Sequence, residues 1–382
     1  MNSAKSMKEN LLLRDKFIYI VMLLILVSFF IFFLYKNGVT ENRQSWVKAT
    51  ANSLIKDGKP FRFIGASAVN LVFYDDWDLD IEKAVRTAKE NNISVLRFYI
   101  DLGWGKTEDF DRIFDIASRY GIYIILAFTD CCCSSDYSSL KKYFEVHAPF
   151  CNITNEESIK AFKKLIKQII ERKNSINGRI YRDDPTILAW EIANELEYWR
   201  FAESDVYSWI ADISTYIKGL DKNHLVTIGI STNNFDLSKD SPLYKIFNVA
   251  ALDFLSFHYY PDSNNLDLSK DILHKEDIYK IEFITKKLLS LGKPVIMGEF
   301  GFSNSVDLNS KIRSDQNTAD FYNLAFKKYM DTAFLAGASG VMFWGWGIPE
   351  EKRVPMWWSQ ESHTTADKKF CAFLREYQIP NK

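Results

Sequence analysis

With 382 residues, 48 basic against 49 acidic side chains and a net charge of −1, the chain can hold one large domain and carries no basic footprint for nucleic acid. Aromatic residues make up 15% of it, ten of them Trp, which suits stacking against flat apolar faces such as sugar rings.

The first element is an uncharged run, FIYIVMLLILVSFFIFFLY, from Phe17 to Tyr35, bounded by Lys16 and Lys36. As a helix it covers roughly the 30 Å hydrocarbon core of a bilayer. A cleaved signal peptide is the alternative, but its apolar region would be about 7–15 residues long and end in small residues, whereas this run ends Phe33, Leu34, Tyr35. Lys5, Lys8, Arg14 and Lys16 precede the run and Lys36, Arg43 and Lys48 follow it, which favours a cytoplasmic N-terminus. The expected organisation is therefore a cytoplasmic tail over 1–16, a single transmembrane signal-anchor over 17–35, a polar linker over 36–45 and one folded domain over 46–382. That domain would be membrane-anchored and face an extracellular or lumenal space.

From Trp46 the pattern is continuous. WVKATANSLIKDGKPFRFIG predicts a β-hairpin turned at Asp57-Gly58. Apolar, β-branched runs follow at 61–67, 93–100, 122–129, 187–193, 225–230, 253–259, 294–300 and 339–345. Amphipathic helical patterns such as DIEKAVRTAKENN, ESIKAFKKLIKQIIERKN and DIYKIEFITKKLLSLG lie between them. Eight such units predict an α/β fold, a (β/α)₈ barrel with long loops; an open doubly wound sheet is the alternative. No G-x-G-x-x-G follows the first core strand, so nothing points to a dinucleotide.

The cysteines gather after the third core strand. Cys131, Cys132 and Cys133 are adjacent, with Cys151 nearby and Cys371 far along the chain. A disulfide closing that loop is open in an oxidising compartment, with several pairings possible, while paired C-x-x-C motifs with matching His residues are missing and disfavour a metal site. Asn92 and Asn152 head glycosylation acceptor patterns.

In a barrel of this kind the chemistry collects at the C-terminal strand ends. Arg97 sits late in the second core strand, Asn194 and Glu195 close the fourth, His258 and Tyr260 the sixth, Glu299 the seventh and Trp344 the eighth. Two carboxyl groups at one mouth are the equipment of glycoside hydrolysis: one protonates the leaving oxygen, and the other attacks the anomeric carbon or activates water. Simpler readings exist for each residue. Arg97 and Glu191 would form an interior ion pair, His258 a packed core histidine, Tyr260 and Trp344 ordinary mouth aromatics, and Asn194 a turn cap. Trp357 and Trp358 would cover a helix or form a sugar platform.

The motifs WEIANE, DFLSFHYYPD, KPVIMGEFG and GVMFWGWG, with VLRFY upstream, resemble those of glycoside hydrolase family 5, most closely its endo-β-1,4-mannanases. The likeness runs from about Trp46 to the C-terminus. It implies a retaining mechanism with Glu195 as general acid/base and Glu299 as nucleophile. Asn194 would bind the sugar 2-hydroxyl, Arg97 and Tyr260 would steady the nucleophile, His258 would lie near the acid/base and Trp344 would floor the sugar site. No metal or organic cofactor is implied. The implied substrate is mannan or glucomannan, with a β-1,4-glucanase or an inactive glycan-binding barrel as alternatives. Three departures fall on sugar-binding positions or their approach: Leu196 follows Glu195 where the family usually has Pro, Gly65-Ala66-Ser67-Ala68-Val69-Asn70 replaces a Gly-x-Asn-x-Tyr-Trp segment, and no Trp follows Asp262.

Overall fold

The computed structural model describes residues 44–68, 81–100, 107–131, 151–232, 236, 238, 241–260, 275–301, 316–347, 363–364 and 368–381, together with Tyr19, Val21, Met22 and Ser28. The chain divides into two compact units, 1–43 and 44–382. In the first, the four described positions are helical, and the rest of the apolar run 17–35 lies outside the described residues. Among the described residues no helix is long and apolar enough to cross a membrane.

The second unit opens with three short antiparallel strands, β1 (Val47–Ala49), β2 (Leu54–Lys56) and β3 (Lys59–Pro60), where the sequence predicts a two-stranded hairpin. The added reversal has a local cause. Thr50 N and its Oγ1 both donate to Ser53 O at 2.9 Å, folding the chain back before Leu54. The Asp57-Gly58 turn forms as predicted, with φ of +50° and +74°, the pair of positive angles that matches the twist of a two-residue hairpin.

Eight parallel strands then close into a barrel: β4 (Phe63–Ser67), β5 (Ile93–Tyr99), β6 (Tyr123–Ala127), β7 (Ile187–Asn194), β8 (Leu225–Ser231), β9 (Leu255–Tyr259), β10 (Val295–Phe300) and β11 (Gly340–Trp344), with β11 pairing back to β4. Both faces of these strands are covered, which is why they read as continuous apolar runs. Helices follow in turn: α1 (Ile81–Glu90), α2 (Thr107–Tyr120), α3 (Glu156–Ile170), α4 (Glu203–Leu220), α5 (Pro242–Phe247), α6 (Lys275–Leu289), α7 (Gln316–Ala336) and α8 (Lys368–Glu376). Helix α3 illustrates the local logic. Asn155 caps it by accepting from Ser158 N at 2.9 Å, Glu156 and Glu157 meet the positive end of its dipole, and Phe162, Leu165, Ile166, Ile169 and Ile170 form its buried stripe.

The barrel interior has two halves. Below, Phe63, Val95, Ile125, Leu188, Ile296 and Met342 share a cluster with Val47 and Leu54 from the small sheet, which thus plugs the N-terminal end. Gly340 is required there, since a Cβ would lie 2.3 Å from the Phe63 ring. Above, register aligns polar residues: Ser67 pairs with Arg97, Ser231 with His258 and His258 with Glu299, while Asn194 pairs with Gly229. The ladder is irregular between Glu191 and Asn194 and between Met297 and Glu299, on the two strands that supply the carboxyl groups. Such irregularities re-aim side chains at strand ends.

Cys131 and Cys151 form a disulfide across 20 positions, and Cys371 is buried outside it. Cys132, Cys133, Asn70, Asp262, Trp357 and Trp358 lie outside the described residues. The Asn92 side chain donates to the carbonyls of Leu374 and Arg375 at 3.0 and 2.9 Å, so a glycan there would break the contact between the α1–β5 turn and α8; Asn152 is exposed.

Candidate active site

The segment AWEIANELEYW resolves by alternation. Trp190 faces outward, stacked on Phe128 with centroids 5.4 Å apart and donating from Nε1 to Asp221 Oδ2 at 2.7 Å. Glu191 faces the barrel interior. There it takes Arg97 in a two-pronged contact, Nε to Oε2 at 2.8 Å and Nη2 to Oε1, which is the ion pair read from sequence. Glu197 pairs with Arg200 at 2.7 Å and brackets the turn beyond the strand.

Arg97 has a second task. Its Nη1 donates to Glu299 Oε1 and, at 2.9 Å, to the Tyr99 hydroxyl, while Nη2 donates to Asn194 Oδ1 at 2.7 Å. Tyr99 in turn donates to Glu299 Oε1 and Tyr260 to Glu299 Oε2, each at 2.8 Å. Glu299 is fully buried. Burial alone would raise its pKa, but the charges of His258 and Arg97 and the two tyrosine hydroxyls outweigh it and hold the carboxyl below its ordinary range. Burial pushes both tyrosines well up, so each stays a hydrogen-bond donor.

Glu195 is treated differently. It stands just past β7 with φ of +43°, a left-handed conformation that costs a non-glycine residue of order 1 kcal/mol and tends to persist at functional sites. Its side chain is 15% exposed, and Oε1 lies 2.8 Å from His258 Nδ1. His258 is buried against both carboxyl groups, with Nδ1 also 3.7 Å from Glu299 Oε2. Burial opposes its charge, yet Glu299 and Glu195 together raise its pKa above the ordinary value. Gly229 makes room for this cluster, because a Cβ there would come 2.6 Å from Glu191 Oε1 and 2.7 Å from His258 Nε2.

The structure thus brings Arg97, Asn194, Glu195, His258, Tyr260 and Glu299 into one cluster. Trp344 stands half-buried beside it, with its ring centroid 6.5 Å from that of Tyr99. Sequence reasoning missed Tyr99 and Asp130. Tyr99 is two residues beyond Arg97 on the same strand face, so period-two alternation points to it. Asp130 accepts from Asn194 Nδ2 at 2.9 Å and closes the third core strand as the last letter of AFTD.

One oxygen of Glu195, one of Glu299 and a ring nitrogen of His258 all lie within 4.8 Å of one another. Three such groups could hold a cation. Both oxygens of Glu299 already accept from Arg97, Tyr99 and Tyr260, however, and the guanidinium would stand beside any metal as a fixed positive charge. Two carboxyl groups this close, one strongly hydrogen-bonded and one reaching solvent, are equipped for paired acid and nucleophile chemistry.

A family model described as GH family 5 β-mannosidase-like matches residues 102–369. The chain belongs to glycoside hydrolase family 5. Its similarity to mannan endo-1,4-β-mannosidase 1 of Arabidopsis thaliana is 28% identity over 250 residues, covering 60% of this chain and 59% of that protein. The protein of the same name from Oryza sativa subsp. japonica is 28% identical over 279 residues, covering 63% of this chain and 60% of its own. The family 5 chain thus spans about three fifths of the length of these plant relatives. In fold it resembles the endo-β-1,4-mannanase from Thermotoga petrophila, with a TM-score of 0.65 and 23% identity over 84% of this chain and 77% of that one. It likewise resembles a family 5 mannosidase from Rhizomucor miehei, with a TM-score of 0.66 and 19% identity over 87% and 97% of the two chains.

Proposed function

We propose that this family 5 protein is a retaining endo-glycoside hydrolase that cleaves β-1,4-linked mannan or glucomannan. The observation that carries the reading is the pair of carboxyl groups, Glu195 and Glu299, with oxygens within 4.8 Å of each other. Retaining enzymes hold them about 5–5.5 Å apart, whereas inverting enzymes leave about 6.5–9.5 Å for a water.

The roles follow from the environments. Glu299, ionised and aimed by three donors, attacks the anomeric carbon and forms a covalent glycosyl ester. Glu195 gives its proton to the leaving oxygen. A water then enters, Glu195 takes a proton from it, and the ester is cleaved with the original anomeric configuration restored. His258 steadies Glu195 through both steps. Asn194 binds the 2-hydroxyl, where the hydrogen bond strengthens as the oxocarbenium-like transition state develops. Arg97 holds Glu299 and Asn194 together, and its pairing with Glu191 offsets its charge so that Glu299 keeps enough electron density to attack. Trp344 floors the sugar site.

The names of the plant relatives support mannan. The test is a panel of mannan, glucomannan, cellulose, mixed-linkage glucan and xylan. Hydrolysis of glucan with mannan untouched would refute the mannan assignment, and binding without hydrolysis of any of them would favour the inactive barrel. An exo-acting β-mannosidase is the second reading, favoured by the description of the family model. Release of monosaccharide alone from mannan would select it, and early release of mixed oligosaccharides would select the endo mode.

The placement proposed for the domain is outside the cytoplasm, tethered through residues 17–35. The apolar run and the Cys131–Cys151 disulfide, a bond suited to an oxidising compartment, support this. Protease added to intact cells should release a fragment beginning near residues 36–46; release only after lysis would reverse the topology.

A further inference from the structure

Asn194 is held from two sides. Its Oδ1 accepts from Arg97 Nη2 at 2.7 Å, and its Nδ2 donates to Asp130 Oδ1 at 2.9 Å. A guanidinium only donates and a carboxylate only accepts, so these contacts fix which end of the amide faces which neighbour. The amide nitrogen has two hydrogens. Asp130 engages one and leaves the other for a ligand.

Asp130 is itself built in. Its side chain is buried, and it forms a parallel bridge with Asn194. Asn194 N donates to Thr129 O at 2.9 Å, and Cys131 N donates to Asn194 O at 2.8 Å. Cys131 is then bonded covalently to Cys151, which immobilises the strand end just after Asp130. A surface acid that merely solvates a loop would need none of this.

We propose that Asp130 is a positioning residue that aims the Asn194 amide at the 2-hydroxyl of the sugar being cleaved, with the Cys131–Cys151 disulfide fixing the strand end that carries it. The inference rests on the mannan-cleaving reading and deepens it. The 2-hydroxyl is axial in mannose and equatorial in glucose, so a donor with one fixed direction favours one epimer. A site built to hydrogen-bond a hydroxyl discriminates by large factors when the direction is right.

The test uses two substrates: an aryl β-1,4-mannobioside, and its analogue lacking the 2-hydroxyl on the ring next to the aglycone. Asp130→Ala should lower kcat/KM on the intact substrate by about 10–100-fold and on the deoxy analogue by less than about threefold, because the analogue has no hydroxyl for Asn194 to hold. Asp130→Asn, which keeps an acceptor oxygen, should recover most of the loss. Asp130→Ser, too short to reach Nδ2, replaces the alanine variant if that one does not fold. Equal losses on both substrates in an active enzyme would overturn the inference alone. A wild-type protein inert on both would overturn the mannan-cleaving reading and the inference with it.

Discussion

Two buried carboxylates in this protein, Asp111 and Glu299, each meet an arginine and a tyrosine hydroxyl, and they differ in where their donors come from and in what stands beside them. Asp111, on α2, accepts from Arg172 through Nε and Nη2 at 3.0 and 2.6 Å, from Ser175 N and Oγ at 3.1 and 2.8 Å, and from the Tyr181 hydroxyl at 2.6 Å. All five donors come from residues 172–181, so this cluster clamps the loop that leads into β7. Glu299 accepts from three donors, two on β5 and one just beyond β9, beside a second carboxyl group and a histidine. The first network is saturated and separate from the mouth. The second holds a charge ready beside a place where substrate can enter. Both depress a carboxyl pKa, which alone therefore does not tell a clamp from a nucleophile.

Replacing the two acids one at a time separates their roles most forcefully. Glu299→Gln should lower turnover on every substrate by about 10⁴-fold or more, with the fold kept because Arg97 retains Glu191. Asp111→Ala should leave kcat intact while removing about 3 kcal/mol of stability, since it strands a half-buried arginine and a buried tyrosine hydroxyl. Steady-state kinetics and denaturant melts on both variants check this. A large loss of kcat in Asp111→Ala would erase the distinction.

Glu195 sharpens the contrast within the mouth. Glu195→Ala should cost about 10²–10⁴-fold on natural polymer yet far less on aryl glycosides with good leaving groups, because only a poor leaving oxygen needs a proton. Glu299→Gln should show no such split. Equal losses for Glu195→Ala on both substrate types would reverse the assignment.

The overall architecture was legible in the sequence. β-Branched runs alternating with amphipathic stretches revealed the barrel, because buried parallel strands must be apolar on both faces. Charged residues at the ends of such runs stood out for the same reason, so Glu195, His258 and Glu299 were visible as exceptions to their surroundings. Asp130 was not, since an acid after a strand is ordinary turn chemistry until a partner is placed beside it. The choice of Cys151 as partner for Cys131, and the division of the small sheet into three strands, likewise depend on local chain reversals that composition does not encode.

The disulfide supplies a smaller effect on the same mouth. Replacing Cys131 and Cys151 together by Ala should cost about 3 kcal/mol through the freedom returned to the unfolded chain, read as a lowered denaturant midpoint. An unchanged midpoint would mean that the strand end is fixed by hydrogen bonds alone.

The smallest expected effect is a pH dependence. The pKa of His258 is raised above its ordinary 6.5 in the folded protein, so its protonation contributes stability that is full below about pH 6.5 and fades as pH rises through the folded value. The Tm difference between wild type and His258→Gln should therefore shift against the wild type from pH 6.5 upward. Glu299 runs the other way. Its depressed pKa contributes stability above about pH 4.5 that is lost as pH falls through the folded value. A Tm difference that stays flat from pH 6 to 9 would contradict the His258 assignment.

In the proposed mechanism Glu299 attacks the sugar while Glu195 serves as acid and base. A 2-fluoro-mannosyl substrate with an activated leaving group slows hydrolysis of the covalent intermediate, so mass spectrometry of the digested protein reads the nucleophile directly. A single adduct per chain is expected, on the peptide containing Glu299. An adduct on Glu195, or turnover that inverts the anomeric centre with no adduct at all, would contradict it.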